Sequence, residues 1–249
     1  MDRLVILGTG TCQLEEHRAA SAALIEMDDL RLAFDFGRGI ATRLAGLGLA
    51  QDDVEHVVLS HFHPDHVSDL IPYLQAAAWS QVDPRHRDLH VWGPEGLEVQ
   101  LMRLLSLFGP HDLARPEHYR VVLHEVRGEE LRIAGGSGGV HEFVFGDLPP
   151  AGNHGLKWTW KGRTYALTGD SSYHEQEVAF LAGADLAVID AGHLSDEEIV
   201  ELAAATGAGQ LVCSHLYREL DAEDLGDRAA RRGYRGRIVV GHDLMSFEL

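Results

Sequence analysis

Six positions of this 249-residue chain carry four side chains that ligate metals, in the run Ser60-His61-Phe62-His63-Pro64-Asp65-His66-Val67. His61 and His63 are two apart, so in extended backbone they point to the same side. Pro64 ends strand pairing and suits the first turn of a helix, which places Asp65 and His66 at a helix start beside the two imidazoles. Imidazoles with a carboxylate suit zinc, and equally iron or manganese. Four ligands in one loop cannot close two metal sites, so further ligands must come from elsewhere. His154 in Gly152-Asn153-His154-Gly155, Asp170 in Thr168-Gly169-Asp170-Ser171 and His215 in Cys213-Ser214-His215-Leu216 qualify. Each lies at the end of an expected buried strand, where α/β proteins place their sites. Singly, each has a bland reading as a loop histidine, a turn aspartate or a capping histidine; together with residues 61–66 they read as one metal centre.

The elements that must position these residues follow from apolar patterning. Arg3–Leu7, Ala22–Met27, Arg31–Phe36, His56–Ser60 and Leu89–Trp92 read as strands, with helices over Ile40–Leu47, Val67–Ser80 and about Glu95–Phe108. Tyr119–Ala166 is β-rich. The last third alternates strand and helix: Leu186–Ile189, Asp196–Ala205, Gln210–Cys213, Ala222–Arg232, Arg237–Val240. No linker, composition break or fixed repeat divides the chain. The pattern predicts one α/β domain over 1–249, built as two packed sheets with helices outside.

Composition narrows the function. The net charge is −18 with a pI near 5.2, and only two of the basic residues are lysines, Lys157 and Lys161. Such a surface repels phosphate backbones and anionic membranes. The Arg228–Arg237 cluster falls on an expected surface helix and its exit. The longest run without Asp, Glu, Lys or Arg, Leu202–Tyr217, is shorter than a membrane span. The N-terminus has no signal-peptide core, and two cysteines, Cys12 and Cys213, make no disulfide framework. A cytoplasmic protein is expected. Of the other histidines, His86, His90, His111, His118, His124 and His141 read as surface or loop residues.

The HxHxDH run of His61, His63, Asp65 and His66 resembles the signature of the metallo-β-lactamase fold superfamily. The chain is further similar to its ribonuclease Z-like branch. Leu7-Gly8-Thr9-Gly10-Thr11 resembles the branch's glycine turn and Phe34-Asp35-Phe36-Gly37 its D-x-G. Thr168-Gly169-Asp170-Ser171, Leu211-Val212-Cys213-Ser214-His215 and Gly241-His242-Asp243-Leu244-Met245 resemble its later motifs. The matches run from residue 4 to residue 245. The resemblance implies an αββα sandwich of two mixed sheets holding two divalent ions, zinc first, manganese or iron otherwise. It implies that His61, His63 and His154 hold the first ion, that Asp65, His66 and His215 hold the second, and that Asp170 bridges. A metal-bridging hydroxide would be the nucleophile. His193, in Asp190-Ala191-Gly192-His193, corresponds to a histidine that protonates the leaving group in that branch; Asp65 or a nearby carboxylate would tune it. A loop histidine beside a helix-capping Ser195 is the bland alternative.

The sequence also departs from the branch. Fifteen residues separate His154 from Asp170, too few for the basic arm with which ribonuclease Z grips tRNA, and Leu216-Tyr217-Arg218-Glu219 replaces the usual continuation after the last metal histidine. With the charge of −18, this favours a small anionic ester, a phosphodiester first, over nucleic acid. The segment Leu70–Val82 and the region Leu107–Tyr119 would wall the pocket, with Trp79, Phe108, Trp158 and Tyr173 as apolar contacts or plain core. A ribonuclease Z-type endonuclease, an arylsulfatase or lactonase, a redox iron protein and a non-catalytic metal-binding regulator remain open. So does assembly as a homodimer.

Overall fold

The computed structural model describes residues 2–108 and 118–249; His111 and most of the 107–119 region lie outside them. Two seven-stranded sheets face each other. Sheet 1 is built from β1 (Arg3–Gly8), β2 (Ala22–Met27), β3 (Leu30–Phe34), β4 (His56–Val58), β5 (Leu89–Gly93), β6 (Val121–Glu125) and β14 (Ser246–Glu248), in the order β14-β1-β2-β3-β4-β5-β6. Sheet 2 contains β7 (Glu130–Ala134), β8 (Val140–Leu148), β9 (Asn153–Trp160), β10 (Arg163–Leu167), β11 (Leu186–Asp190), β12 (Gln210–Ser214) and β13 (Arg237–Val240), in the order β13-β12-β11-β10-β9-β8-β7. Each sheet has a parallel half, β3 to β6 and β10 to β13, and an antiparallel half. The central parallel strands read as unbroken apolar runs because both faces are covered; all five residues of β11 are buried.

Three apolar layers make the sandwich. Leu4, Ile25, Phe34, Phe143, Trp158 and Tyr165 belong to the layer between the sheets. The outer face of sheet 1 packs on α1 (Ile40–Gly46), α3 (Leu70–Trp79) and α4 (Leu97–Leu107). The outer face of sheet 2 packs on α5 (Glu175–Leu181), α6 (Asp196–Thr206) and α7 (Ala222–Arg231). The αββα architecture is therefore the one that the sequence predicts. Trp158 is buried in the core layer between the sheets. No helix among the described residues is long and apolar enough to cross a membrane.

Three differences from the sequence reading have local causes. The helix expected over Val67–Ser80 is two, a short α2 (Pro64–Val67) and α3, parted at Ser68-Asp69. Asp69 there accepts a hydrogen bond from the Ala41 amide of α1, at 3.1 Å. The strand β14 was not expected; it is three residues of a sheet edge with two of them exposed. His90, His124 and His141 are strand residues with partly or fully buried side chains, not loop residues.

Parallel register sets His56 beside His90 and Trp92 beside His124. The rings stack, Trp92 on His124 with centroids 3.7 Å apart. His56 is buried and satisfied as a neutral ring: Trp92 Nε1–H donates to its Nδ1 at 3.2 Å, and its Nε2–H donates to the Ala134 carbonyl at 2.9 Å. Burial, then the neighbouring His90, pushes the His56 imidazole down to about 4. The unfolded chain binds a proton near pH 6.5 that the folded chain refuses until about pH 4. Acidification through that window should cost folding stability, by up to about 3 kcal/mol from this residue. Urea unfolding at pH 7 and pH 4.5 checks this: His56→Gln should show a shallower loss than the wild type, and an equal loss would contradict it.

Candidate metal centre

The candidate ligands gather where the carboxyl ends of the parallel strands of both sheets meet. From sheet 1, β4 runs into Leu59-Ser60-His61-Phe62-His63. His63 is extended (φ −63°, ψ 147°) and caps α2, with Pro64 as its first residue. From sheet 2, Asp170 follows β10, Asp190 ends β11, and His215 follows β12. His154 lies at the start of β9, antiparallel to β10 and so at the same end of the sheet.

Asp170 is the centre of the group. Its Oδ1 lies 3.0 Å from His66 Nε2 and 3.3 Å from His215 Nε2, and its Oδ2 lies 3.7 Å from His61 Nε2. Asp65 Oδ2 lies 3.6 Å from His215 Nε2 and 3.9 Å from His66 Nε2. Ligand atoms of His61, His66 and Asp170 fall within 4.8 Å of one another, as do those of Asp65, His66 and His215. The group expected for the second ion thus converges whole. For the first ion, His61 and Asp170 converge, while the exposed His63 packs its ring edge-on against His61 at 4.5 Å. His154 is engaged elsewhere: its Nε2 lies 2.7 Å from Asp147 Oδ1, its cross-strand neighbour, its Nδ1 lies 3.2 Å from the Ser60 carbonyl oxygen, and its ring stacks on Phe145. Its backbone amide donates to the Ser60 carbonyl, so its main chain stays next to His61.

The donors fit a cation. His61 Nε2, His66 Nε2, His215 Nε2 and Asp170 Oδ1 are all buried and none makes a well-angled hydrogen bond. Buried polar atoms are rarely left so, and four of them facing one another is the arrangement that metal ions satisfy. The electrostatics agree. Burial alone would raise the Asp170 carboxyl, but His66, His215 and His61 together hold it well below the carboxylate range. Burial would lower His215, yet Asp190, Asp65 and Asp170 carry it up to about 9. His66 is likewise held well above its ordinary value, against burial, by Asp35 and Asp170. Burial and the His66 charge push His61 down to about 4. The pocket therefore attracts positive charge, which metal ions supply better than protons shared among crowded rings.

A surrounding shell fixes the ring orientations, and two of its carboxylates escaped the sequence reading. Asp35, in the D-x-G motif, has a left-handed backbone (φ 63°) and lies 2.8 Å from His66 Nδ1. It also accepts the Ser60 amide and hydroxyl, at 2.8 and 2.9 Å. A left-handed backbone is uncommon for a non-glycine residue, and here the hydrogen bonds to Ser60 and the contact with His66 accompany it. Asp190 grips the other side. It accepts the Gly192 and His193 amides and the His193 Nδ1–H, the last at 2.6 Å, and its Oδ1 lies 3.3 Å from His215 Nδ1. The bond to Asp190 raises the His193 imidazole above its ordinary value. His193 is half-exposed and stacks on His215 with centroids 5.3 Å apart. Asn153 holds the Asp170 backbone, accepting its amide at 3.1 Å.

Two glycines permit the close approaches. A Cβ on Gly37 would lie 1.6 Å from the Asp65 carbonyl oxygen, and one on Gly192 would lie 2.1 Å from that of His215. Any side chain at either position would displace a ligand loop.

Comparison with known proteins agrees with this geometry. Residues 17–215 match the family model of the metallo-beta-lactamase superfamily. A ribonuclease Z of Mycobacterium marinum is 26% identical over 286 aligned positions, covering 100% of this chain and 99% of that protein. The alignment is longer than this chain, so the relative carries segments absent here. Among solved structures, the metallo-beta-lactamase fold protein YhfI of Bacillus subtilis superposes with a TM-score of 0.78 at 20% identity, over 99% of this chain and 98% of that one. A diphosphatase of the PhnP family superposes with a TM-score of 0.72 at 18% identity, over 100% and 98%.

Proposed function

This chain belongs to the metallo-beta-lactamase superfamily and is a metal-dependent hydrolase, and on that premise we propose that it cleaves small anionic esters, a phosphodiester first, at a dinuclear centre. The observation that carries the proposal is the ring of unpartnered Nε2 atoms around Asp170. Asp65, His66 and His215 would hold one ion; His61, with His63 and with His154 once it leaves Asp147, would hold the other; Asp170 would serve both. Zinc suits this donor set best, with manganese or iron as substitutes. The ions would supply Lewis acidity toward the ester and a water deprotonated near neutral pH.

The chain's own residues do the rest. Asp35 and Asp190 keep the Nδ1 sides of His66 and His193 occupied, so that their Nε2 atoms face inward or outward as needed. With Nδ1 bound to Asp190, His193 has only Nε2 with which to protonate a leaving oxygen. Asp190 first, and then Asp170, favour the protonated ring, with Asp190 taking the tuning role that the sequence offers to Asp65 or a nearby carboxylate.

The small substrate is supported by charge and by a missing gripping element. The net charge is −18. Arg228 pairs with Glu197 and Asp224, and Arg232 with Glu197 and Glu201, so two of the five arginines in this cluster are neutralised by neighbouring carboxylates. Between His154 and Asp170 the chain makes only the β9–β10 hairpin. The diphosphatase named above fits this reading. Precursor tRNA is the second reading, favoured by the ribonuclease Z relatives. The two free cysteines suit a cytoplasmic setting.

Elemental analysis should find two divalent ions per chain. One ion at full occupancy, with His215 unbound, would overturn the dinuclear centre. Bis(4-nitrophenyl) phosphate, an aryl sulfate, an aryl acetate, a lactone and a precursor tRNA, each assayed with zinc and manganese, test the substrate. Preference for the phosphodiester is expected; preference for the tRNA would replace it with the second reading.

A further inference from the structure

A chamber of about 940 Å³ opens beside the candidate metal centre, between α2, α3 and α4. This size lies in the range that encloses drug-sized ligands, about 300–1,000 Å³. Among the described residues, none that lines it is charged, although charged residues make up 24% of the chain. Leu97 and Leu101 of α4 form a buried wall, and Ile71 of α3 and Leu104 of α4 are half-buried in it. The chamber is continuous with the metal loop itself. In the run His61-Phe62-His63-Pro64-Asp65, Phe62 and Pro64 line the chamber while the residues between and around them are candidate ligands. One peptide segment therefore forms the partition between the two. Trp79 and Phe108 stand at the lip, 46% and 54% exposed. Apolar surface of this kind, bordering a reaction centre and lined by no lysine or arginine among the described residues, offers a polyanionic chain no counter-charge. To an uncharged group it offers burial.

We propose that this chamber binds an apolar arm, alkyl or aryl, of the substrate whose anionic ester reaches the metal centre. The ester part rests on the hydrolase reading above; the apolar arm rests on the chamber alone. The substrate class is then an amphiphilic ester, with one charged end and one end that prefers to leave water.

The test separates the two. The protein is titrated with N-phenyl-1-naphthylamine, a neutral probe that fluoresces in apolar surroundings, and the probe is displaced by n-alkylphosphonates from ethyl to octyl, which have no ester to cleave. The half-displacement concentration should fall by up to about fourfold per buried methylene. Leu104→Gln and Ile71→Asn, on different helices, should both flatten that dependence. Displacement that ignores chain length, or a slope unchanged in both variants, would overturn the proposal. Turnover of methyl 4-nitrophenyl phosphate is measured in parallel. A steep displacement series without any turnover would remove the hydrolase reading and leave the apolar subsite; turnover with a flat series would do the reverse.

Discussion

Asp170→Ala should lose roughly 10²–10⁴-fold in turnover while the protein stays folded. Among the described residues its carboxylate is the one group within reach of His61, His66 and His215 together. Without it, the two halves of the ligand set lose their common anion. Metal centres of this type contribute several kcal/mol to the transition state, and each 1.36 kcal/mol is tenfold in rate. The fold should survive, because the backbone at 170 is held independently by Asn153 and the Asp170 side chain belongs to none of the apolar layers. Circular dichroism and metal analysis of the same preparation check both halves. Turnover at the wild-type rate with two ions bound would contradict a shared ligand.

His193→Ala should separate substrates by their leaving groups. A general acid contributes roughly 10²–10⁴-fold where the leaving oxygen needs a proton. Alkyl phosphodiesters should slow by that factor, whereas esters of nitrophenolate, which leaves without a proton, should slow much less. Asp190→Asn should show the same selectivity in weaker form, because it removes the charge that raises the His193 imidazole. Metal content should hold in His193→Ala. Equal slowing of both substrate types would make His193 a positioning residue, and loss of an ion would make it a ligand.

What could be read from the sequence was what is local. The run from His61 to His66 identifies itself because a strand, a proline and four candidate ligands fit into a few residues. Asp170 and His215 were visible as polar residues at the ends of buried strands. What escaped depends on register and on distant partners. Asp190 looks like the last residue of β11; its role appears only when β12 brings His215 alongside it, 25 residues later. Asp35 stands within a motif that the sequence shows, but its contact with His66 needs β3 and β4 to pair in parallel. His154 was assigned to the first ion, and no local pattern announces that the β8–β9 register places Asp147 opposite it. The half-buried histidines of β5 and β6 were misread because alternation along a strand says which residues share a face, not which face a neighbouring strand covers.

The candidate ligands come from both sheets, and this gives bound metal a mechanical role. His61, His63, Asp65 and His66 follow β4 of the first sheet, and His154, Asp170 and His215 lie at strand ends of the second. Ions shared between them would act as rivets through the seam of the sandwich, closing chain loops of roughly 90 to 150 residues whose entropy a denatured chain would otherwise recover. Chelation should therefore do more than silence the chemistry: the two leaves should part more readily at the strand ends near Asp170 than at the opposite end of the sandwich. The same clasp, fastened after each leaf has formed, would make metal uptake the last step in maturation rather than the first.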